Sequence, residues 1–390
     1  CSLNSWYNKA DQYSPYLLEG ESMRLIKLLS SVLIVLAVFS RIIAEPASAE
    51  NVTPPKNIIL FIGDGMGVGH ISAAKIEKET LNLEQFKVLG LLSTQAIDSL
   101  ITDSPAATTA LATGVNTLVG AIGVTPEGDP LKNVLEYSKD RGKGTGLIAT
   151  SNVTDGTPAC FVAHVSSRHM YAEIADAIAE LKIDVIMGGG WGYFIPKNHE
   201  GSLRQDARDL LSELSQTHEM VMTPQQFRAL GKPRRLIALL AQENLPPASL
   251  RPVPLIEMTQ KAIEALSQYE NGFFLVVEGS QIDWASHHGN GEQLIEEVID
   301  LDEAVGAALE FAKTDQQTLV LVVSDHETGG YTILNGSVKK KKVTQASFFT
   351  EGHSAAMVPL FAYGPGSEAF AGIHDLAFVG QTLISYLQNP

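Results

Sequence analysis

Short apolar runs rich in β-branched residues alternate with segments of helical period from residue 55 onwards. The runs at 57–62, 145–149, 183–187, 273–277, 319–323 and 358–362 have the length and composition of buried strands. Helical periodicity marks the intervening segments 131–139, 171–181, 203–214, 256–269 and 292–312. This alternation is typical of an α/β fold, and we expect a three-layer α/β/α sandwich with a large, mostly parallel central sheet.

The candidate strands share a second feature, which is that most of them run straight into a polar or glycine-rich turn. Such turns are Gly63-Asp64-Gly65, Ser151-Asn152, Glu278-Gly279 and Ser324-Asp325-His326. In open α/β sheets ligands bind outside the carboxyl ends of the strands. We therefore expect the functional site, including any metal site, at that edge of the sheet.

The N-terminal segment has the pattern of an export signal. A basic start at residues 23–27 is followed by an apolar stretch from Leu28 and by the small residues Ala47-Ser48-Ala49. These features predict a signal peptide over 23–49, with residues 1–22 an upstream, non-native extension. A transmembrane anchor is the alternative, but the apolar stretch ends at Arg41, short of the roughly 20 residues that a span needs. We expect an exported protein, periplasmic or secreted, with no stable membrane anchor after cleavage.

The remaining residues, 50–390, are expected to form a single catalytic domain with a peripheral insertion at about 195–255, where proline and polar residues are frequent. Cys160 is the only cysteine after residue 49, so an intrachain disulfide is excluded there. The chain carries 28 Lys and Arg against 44 Asp and Glu, for a net charge of -16. That balance argues against a nucleic-acid-binding surface. An anionic substrate would need local positive charge from metal ions or a single arginine.

The segment around Ser104 has the pattern of an anion-binding helix start. Pro105 suits the first turn of a helix and Ser104 suits its N-cap, where free backbone N–H groups attract an anion. A serine there would lie where a phosphate could be received. An ordinary serine N-cap is the alternative that this motif leaves open.

Possible metal ligands occur at several of the strand ends. Asp64 lies in a glycine-rich turn whose spacing does not match a dinucleotide fingerprint. Asp283 and His287 are four residues apart, on one face of a helical turn, while Asp325-His326 follows a strand and His353 is isolated. Carboxylate and imidazole ligands without cysteine favour zinc and magnesium.

A third segment, 155–168, combines oxygen ligands with a cation. Asp155 and Thr157 offer oxygens that suit magnesium, and Arg168 offers a planar fork that can bind two phosphate oxygens. Each of these residues taken alone is also compatible with a surface role.

Together, these motifs resemble the alkaline phosphatase family, in the order of that family and from about residue 57 to about residue 365. The resemblance implies that Ser104 is the nucleophile and that Arg168 holds the phosphate. It implies a first zinc bound by Asp283, His287 and His353, and a second bound by Asp64, Asp325 and His326. It also implies one magnesium ion bound by Asp64, Asp155, Thr157 and Glu278.

The function implied by the resemblance is hydrolysis of phosphate monoesters at alkaline pH through a phosphoserine intermediate, with two zinc ions and one magnesium ion. The implied partners are small phosphomonoesters and inorganic phosphate, and a homodimer is compatible with the family. The chain departs from the family pattern at Pro105 and Thr108 in the nucleophile motif. Residue 284, directly after Asp283, is a tryptophan and so cannot supply a positive charge next to Asp155. This difference affects the expected occupancy and affinity of the magnesium site.

Two alternatives remain at this stage. One is a phosphodiesterase or sulfatase of the same superfamily, although the segment from Ser104 lacks the Cys/Ser-x-Pro-x-Arg signature of sulfatases. The other is an exported, non-catalytic phosphate- or metal-binding protein, which turnover of any ester would exclude.

Overall fold

The computed structural model describes residues 54–388. The predicted signal peptide and the segment before it lie outside the described residues. The strands are β1 (Asn57–Gly63), β2 (Val88–Ser93), β3 (Gly144–Asn152), β4 (Val185–Gly189), β5 (Glu219–Val221), β6 (Leu236–Leu239), β7 (Phe273–Gly279), β8 (Thr318–Val323), β9 (Glu327–Thr328), β10 (Thr332–Ser337), β11 (Lys342–Ser347), β12 (His353–Ser354), β13 (Val358–Tyr363) and β14 (Gly372–Asp375).

The helices lie mostly between these strands. They are α1 (Val68–Lys78), α2 (Ser104–Thr113), α3 (Val134–Asp140), α4 (Gly156–Ala159), α5 (Tyr171–Leu181), α6 (Leu210–Ser215), α7 (Pro224–Ala229), α8 (Leu255–Leu266), α9 (Gln281–His287), α10 (Gly291–Asp315) and α11 (Leu376–Gln388). Short 3₁₀ turns are formed by Asn82–Gln85, Trp191–Tyr193, Ala248–Leu250 and Ser367–Phe370. Over residues 54–388, none of the helices combines the length and apolar character needed to cross a bilayer.

Ten strands form one central sheet in the order β14-β2-β13-β8-β1-β7-β3-β4-β6-β5. All neighbouring pairs are parallel except those of β13, which runs against both β2 and β8. The predicted α/β fold with a large, mostly parallel sheet is therefore confirmed.

Strand β1 shows why the sheet needs helices on both faces. Its side chains alternate between two cores: Ile58, Leu60 and Ile62 face one core, and Ile59 and Phe61 face the other. The first core also contains apolar residues of α2, α5 and α11, and the second contains residues of α8 and α10. Each such fully buried side chain contributes about 1.5–3 kcal/mol to folding, so a strand that is apolar at every position specifies a central place in three layers.

The register of the central strands brings the site residues to one edge. Ile62 of β1 is level with Glu278 of β7 and with Val323 of β8. Asp64 and Asp325 each lie two residues beyond these positions, so the two carboxylates emerge side by side next to Glu278. Because β8 ends at Val323, Asp325 and its neighbour are not forced to opposite faces of the sheet.

Some local predictions differ from the structure. Segment 203–214 was expected to be helical throughout, but only α6 forms, because Asp209 caps the helix by accepting a hydrogen bond from Ser212 N at 3.1 Å. The segment at about 195–255, predicted as a peripheral insertion, supplies β5 and β6, the last two strands at one edge of the sheet.

Candidate functional site

Ser104 is the first residue of α2, and Pro105 follows it in the first turn. The prediction that Ser104 is the N-cap is wrong: Asp103 is the N-cap, and its Oδ1 accepts a hydrogen bond from Ala106 N at 3.1 Å. A carboxylate is as good a cap as a hydroxyl, and because Asp103 takes that role, the Ser104 hydroxyl is not used for capping. Ser104 Oγ lies 3.2 Å from His326 Nε2 and is buried.

Two histidines meet beside Asp283. His353 Nδ1 donates to Thr102 O at 2.8 Å, and His287 Nδ1 donates to Glu351 O. The Nε2 atoms of the two rings are therefore the ones directed at each other, 3.2 Å apart. Asp283 Oδ1 lies 3.3 Å from His287 Nε2 and 3.6 Å from His353 Nε2. Histidines anchored through one ring nitrogen, with the other turned inward, are typical of metal ligands.

The protonation state of His287 depends on Asp283. The hydrogen bond between the Asp283 carboxylate and His287 raises the pKa of His287 to about 9. A cation at this position would displace that proton, so binding should weaken as pH falls.

A second group of possible ligands contains Asp64, Asp283 and His326, whose donor atoms all lie within 4.8 Å of one another. His326 Nε2 is 3.4 Å from Asp64 Oδ1 and 3.3 Å from Asp325 Oδ2. Burial lowers the pKa of His326 to about 4, so its ring is neutral and able to ligate. The structure thus brings together the predicted trio of Asp64, Asp325 and His326 and adds Asp283 to their surroundings.

Thr328 orients this second group and was not identified from the sequence. Its hydroxyl donates to Asp283 Oδ1, and its oxygen lies 3.2 Å from His326 Nδ1. Because the hydroxyl hydrogen is used on Asp283, His326 Nδ1 is the donor to Thr328, and His326 Nε2 keeps its lone pair. No local pattern in the sequence marks a threonine two residues after a histidine as such an orienting group.

Four buried oxygens at this edge of the sheet have no hydrogen-bond partner among the described residues. They are Asp64 Oδ1, Thr157 Oγ1, Glu278 Oε2 and Asp325 Oδ2. Burial, together with the charge of Asp325, raises the pKa of Asp64 well above its usual range. Burial and the charge of Asp155 do the same to Glu278. Unpaired buried carboxylates are costly, and oxygen donors of this kind fit divalent cations.

The predicted phosphate-binding arginine and a predicted magnesium ligand are in contact. Arg168 Nη2 donates to Asp155 Oδ1 at 3.0 Å, and Gly156 N donates to the same oxygen at 2.7 Å. The Arg168 side chain is 30% exposed, so part of its guanidinium remains available to a ligand. Asp155 and Thr157 belong to the start of α4, whose N-terminus packs close to Pro105.

Nine of the eleven residues predicted for the site lie at the carboxyl ends of β1, β3, β7 and β8 or in the segments that follow these strands, while Ser104 begins α2 and His353 lies in β12. Their donor atoms are oxygens and imidazole nitrogens without sulfur, a set that suits zinc and magnesium. The arrangement can hold divalent cations and present a serine hydroxyl and a guanidinium to an anion.

Comparison with known proteins shows which family the chain is similar to. The sequence profile of the family described as alkaline phosphatase matches residues 55–347. Alkaline phosphatase 4 of Bacillus subtilis is 41% identical over 71% of this chain, which spans 62% of that protein. Alkaline phosphatase 3 of the same organism is 32% identical, with 85% of this chain and 89% of the relative covered.

A solved structure shows the same similarity in three dimensions. Alkaline phosphatase from the Antarctic bacterium TAB5 has a TM-score of 0.80 and 38% identity, covering 87% of this chain and 99% of its own. A mutant of that enzyme has been solved with magnesium bound in its M3 site. From the match of the family profile, the relatives and the solved structure, the chain belongs to the alkaline phosphatase family of phosphoric monoester hydrolases.

Proposed function

We propose that the chain hydrolyses phosphate monoesters at alkaline pH through a phosphoserine intermediate on Ser104. The observation that carries this proposal is the position of the Ser104 hydroxyl. It lies at the start of α2, 3.2 Å from His326 Nε2. His326 is in turn close to the buried carboxylates of Asp64 and Asp325, which are suited to bind divalent cations. Ser104 Oγ would give up its proton and attack phosphorus while the bond from phosphorus to the leaving oxygen breaks, and the leaving oxygen would take up a proton as the alcohol. Water would then attack the phosphoserine, release phosphate and return a proton to the Ser104 oxygen.

The residues proposed to hold cations fall into three sets. One zinc would be held by Asp283, His287 and His353, a second by Asp64, Asp325 and His326, and one magnesium by Asp64, Asp155, Thr157 and Glu278. When bound, these ions supply positive charge to the attacking and leaving oxygens and lower the pKa of a coordinated hydroxyl or water.

Two elements of the chain itself would bind the phosphoryl group. Arg168 would donate to its outer oxygens, where a planar guanidinium can make two charge-assisted hydrogen bonds. The start of α2 favours negative charge at Ser104, because the first N–H groups of a helix have no partner within it. Asp155 would hold the guanidinium in place from the opposite side through the contact at 3.0 Å.

The setting of this activity is also part of the proposal. We propose that the protein is exported, to the periplasm or outside the cell, and that small phosphomonoesters are its substrates and inorganic phosphate its product. The names of the relatives, all alkaline phosphatases, support this substrate class. A homodimer remains a prediction from the family resemblance.

Trapping of the intermediate tests the proposal. The protein is incubated with a phosphomonoester at mildly acidic pH, quenched, digested and searched for phosphopeptides by mass spectrometry. We expect phosphate on Ser104, its loss in Ser104→Ala, and its retention in Ser166→Ala, which changes an exposed serine in the segment of Arg168. Turnover without phosphate on Ser104 would contradict the mechanism, and faster turnover of a diester or sulfate ester would favour a sister family.

A further inference from the structure

His70 is a fully buried histidine that the proposed mechanism does not use. It is the third residue of α1 and lies in the first turn of that helix. Gly67, the N-cap residue, donates its backbone N–H to His70 Nδ1 at 3.2 Å. The imidazole therefore serves the N-terminus of α1 in the way that glutamate or glutamine serves it in a capping box.

The hydrogen bonds of His70 determine its tautomer. Because Nδ1 accepts from Gly67, the ring hydrogen is on Nε2, which donates to Ser286 Oγ at 3.1 Å. Ser286 Oγ in turn donates to Ile282 O at 2.8 Å. Burial lowers the pKa of His70 to about 4, in agreement with a neutral ring. The chain of donors thus runs in one direction, from Gly67 through His70 and Ser286 to α9.

This series of hydrogen bonds connects two elements that carry predicted zinc ligands. Gly67 is three residues after Asp64, in the same glycine-rich turn, and Ser286 lies in α9 between Asp283 and His287. The turn is closely packed on its other side as well. A Cβ atom at Gly67 would lie 2.5 Å from Cγ of Glu327. The side chain of Glu327 therefore packs against this side of the turn.

We infer that His70 is a positioning residue for the zinc centre, which sets the distance between the turn bearing Asp64 and helix α9 by accepting from Gly67 and donating to Ser286. The inference rests on the proposed function for the presence of zinc. Residues hydrogen-bonded directly to metal ligands typically change metal affinity by 10–100-fold when replaced. Because His70 bonds to Gly67 and Ser286, which are not ligands, we expect an effect no larger than the lower end of that range.

Two conservative substitutions separate the two hydrogen bonds of the ring. His70→Asn places a polar atom near the position of Nδ1 and retains an acceptor for Gly67, whereas His70→Gln places one near Nε2 and retains a donor for Ser286. We expect His70→Asn and His70→Ala to weaken zinc binding about tenfold. His70→Gln keeps the hydrogen bond that reaches α9 but loses the one from Gly67, so it should recover only part of that loss. Ser286→Ala should weaken zinc binding in the same direction while leaving the ring in place.

The measurement is zinc transfer from the metal-loaded protein to a chromogenic chelator, together with kcat and KM at limiting and at saturating zinc. The positioning role predicts that the His70 variants have a reduced kcat at limiting zinc, which recovers at saturating zinc. The matched control is His199→Ala, which changes an exposed histidine before α6 and should behave as wild type. Urea unfolding of each metal-free variant identifies a general folding defect. If His70→Ala does not fold, the zinc affinities of Ser286→Ala and His70→Gln test the inference instead.

Zinc affinities equal to wild type in both His70→Asn and Ser286→Ala would overturn the inference alone. So would a His70→Gln variant as weak as His70→Ala. A wild-type protein that takes up no zinc would overturn the proposed metal centre, and the inference with it.

Discussion

Replacing Arg251 by methionine should strongly destabilise the fold, because the Arg251 guanidinium forms ion pairs with two buried carboxylates. Arg251 Nη2 donates to Glu297 Oε2 at 2.9 Å, and Nη1 donates to Asp300. The side chains of Arg251 and Glu297 are each 1% exposed, and that of Asp300 is 10% exposed. Water therefore cannot take over the charges that Arg251 neutralises.

The expected size of the loss follows from this burial. Removing one partner of a buried ion pair costs about 3–5 kcal/mol. The matched control is Arg228→Met, which removes the same side chain from an ion pair with Glu257 whose partners are 54% and 37% exposed. An exposed pair contributes about 0–1 kcal/mol. The free energy of unfolding should therefore fall by at least about 2 kcal/mol more in the Arg251 variant than in the control.

The loss should also depend on pH. In the folded protein, burial raises the pKa of both Glu297 and Asp300 above the ordinary values, although Arg251 opposes the rise. A carboxyl group whose pKa is raised by folding contributes stability below its unfolded pKa and loses that contribution as pH rises through its folded pKa. Without Arg251 the folded pKa values rise further, so the destabilisation should be smaller at about pH 5 than at about pH 8.

Equilibrium urea unfolding of the metal-loaded proteins, at fixed zinc and magnesium concentrations, measures both effects, since bound ligands shift apparent stability. Equal free energies of unfolding for the two arginine variants would refute the reasoning. A loss that is the same at both pH values would refute its electrostatic part.

Three further predictions concern the site. Ser104→Ala should lose nearly all turnover while still binding phosphate, and substantial turnover above a metal-free control would count against the assignment. Arg168→Ala should raise the inhibition constant for inorganic phosphate about tenfold or more, because each lost charge-assisted hydrogen bond is worth about 1.5–3 kcal/mol; an unchanged constant would remove Arg168 from the site. Trp284→Lys and Trp284→His should alter the magnesium dependence of activity, and titrations identical to wild type would show that this position does not tune the magnesium site.

The central strands could be predicted from the sequence because they are buried on both faces and therefore continuously apolar. Strand β1 shows this best, since every residue from Asn57 to Gly63 is buried. Next to the edge strand β14 the signal fails: in β2, Leu89 and Leu91 are exposed and Gly90 lies between them. A short, half-exposed strand has no pattern that distinguishes it from a loop.

The sequence allowed the site residues to be predicted, because they are residues of suitable chemical type at the ends of strands. The contacts that hold these residues in place could not be predicted. Asp103 and Ser104 are adjacent and equally suited to cap a helix, so only the backbone geometry decides between them. The partner of His70 is Ser286, 216 positions away in the chain. Contacts of that separation depend on the complete fold and leave no local signal in the sequence.

The most direct test of the central claim is hydrolysis of a chromogenic phosphomonoester at alkaline pH by the purified protein. Activity is measured as prepared, after removal of metal by a chelator, and after addition of zinc and magnesium. The account predicts activity that disappears with the chelator and returns with the two metals. Undiminished activity in the metal-free protein, or no phosphomonoester turnover in the fully metal-loaded protein, would contradict it.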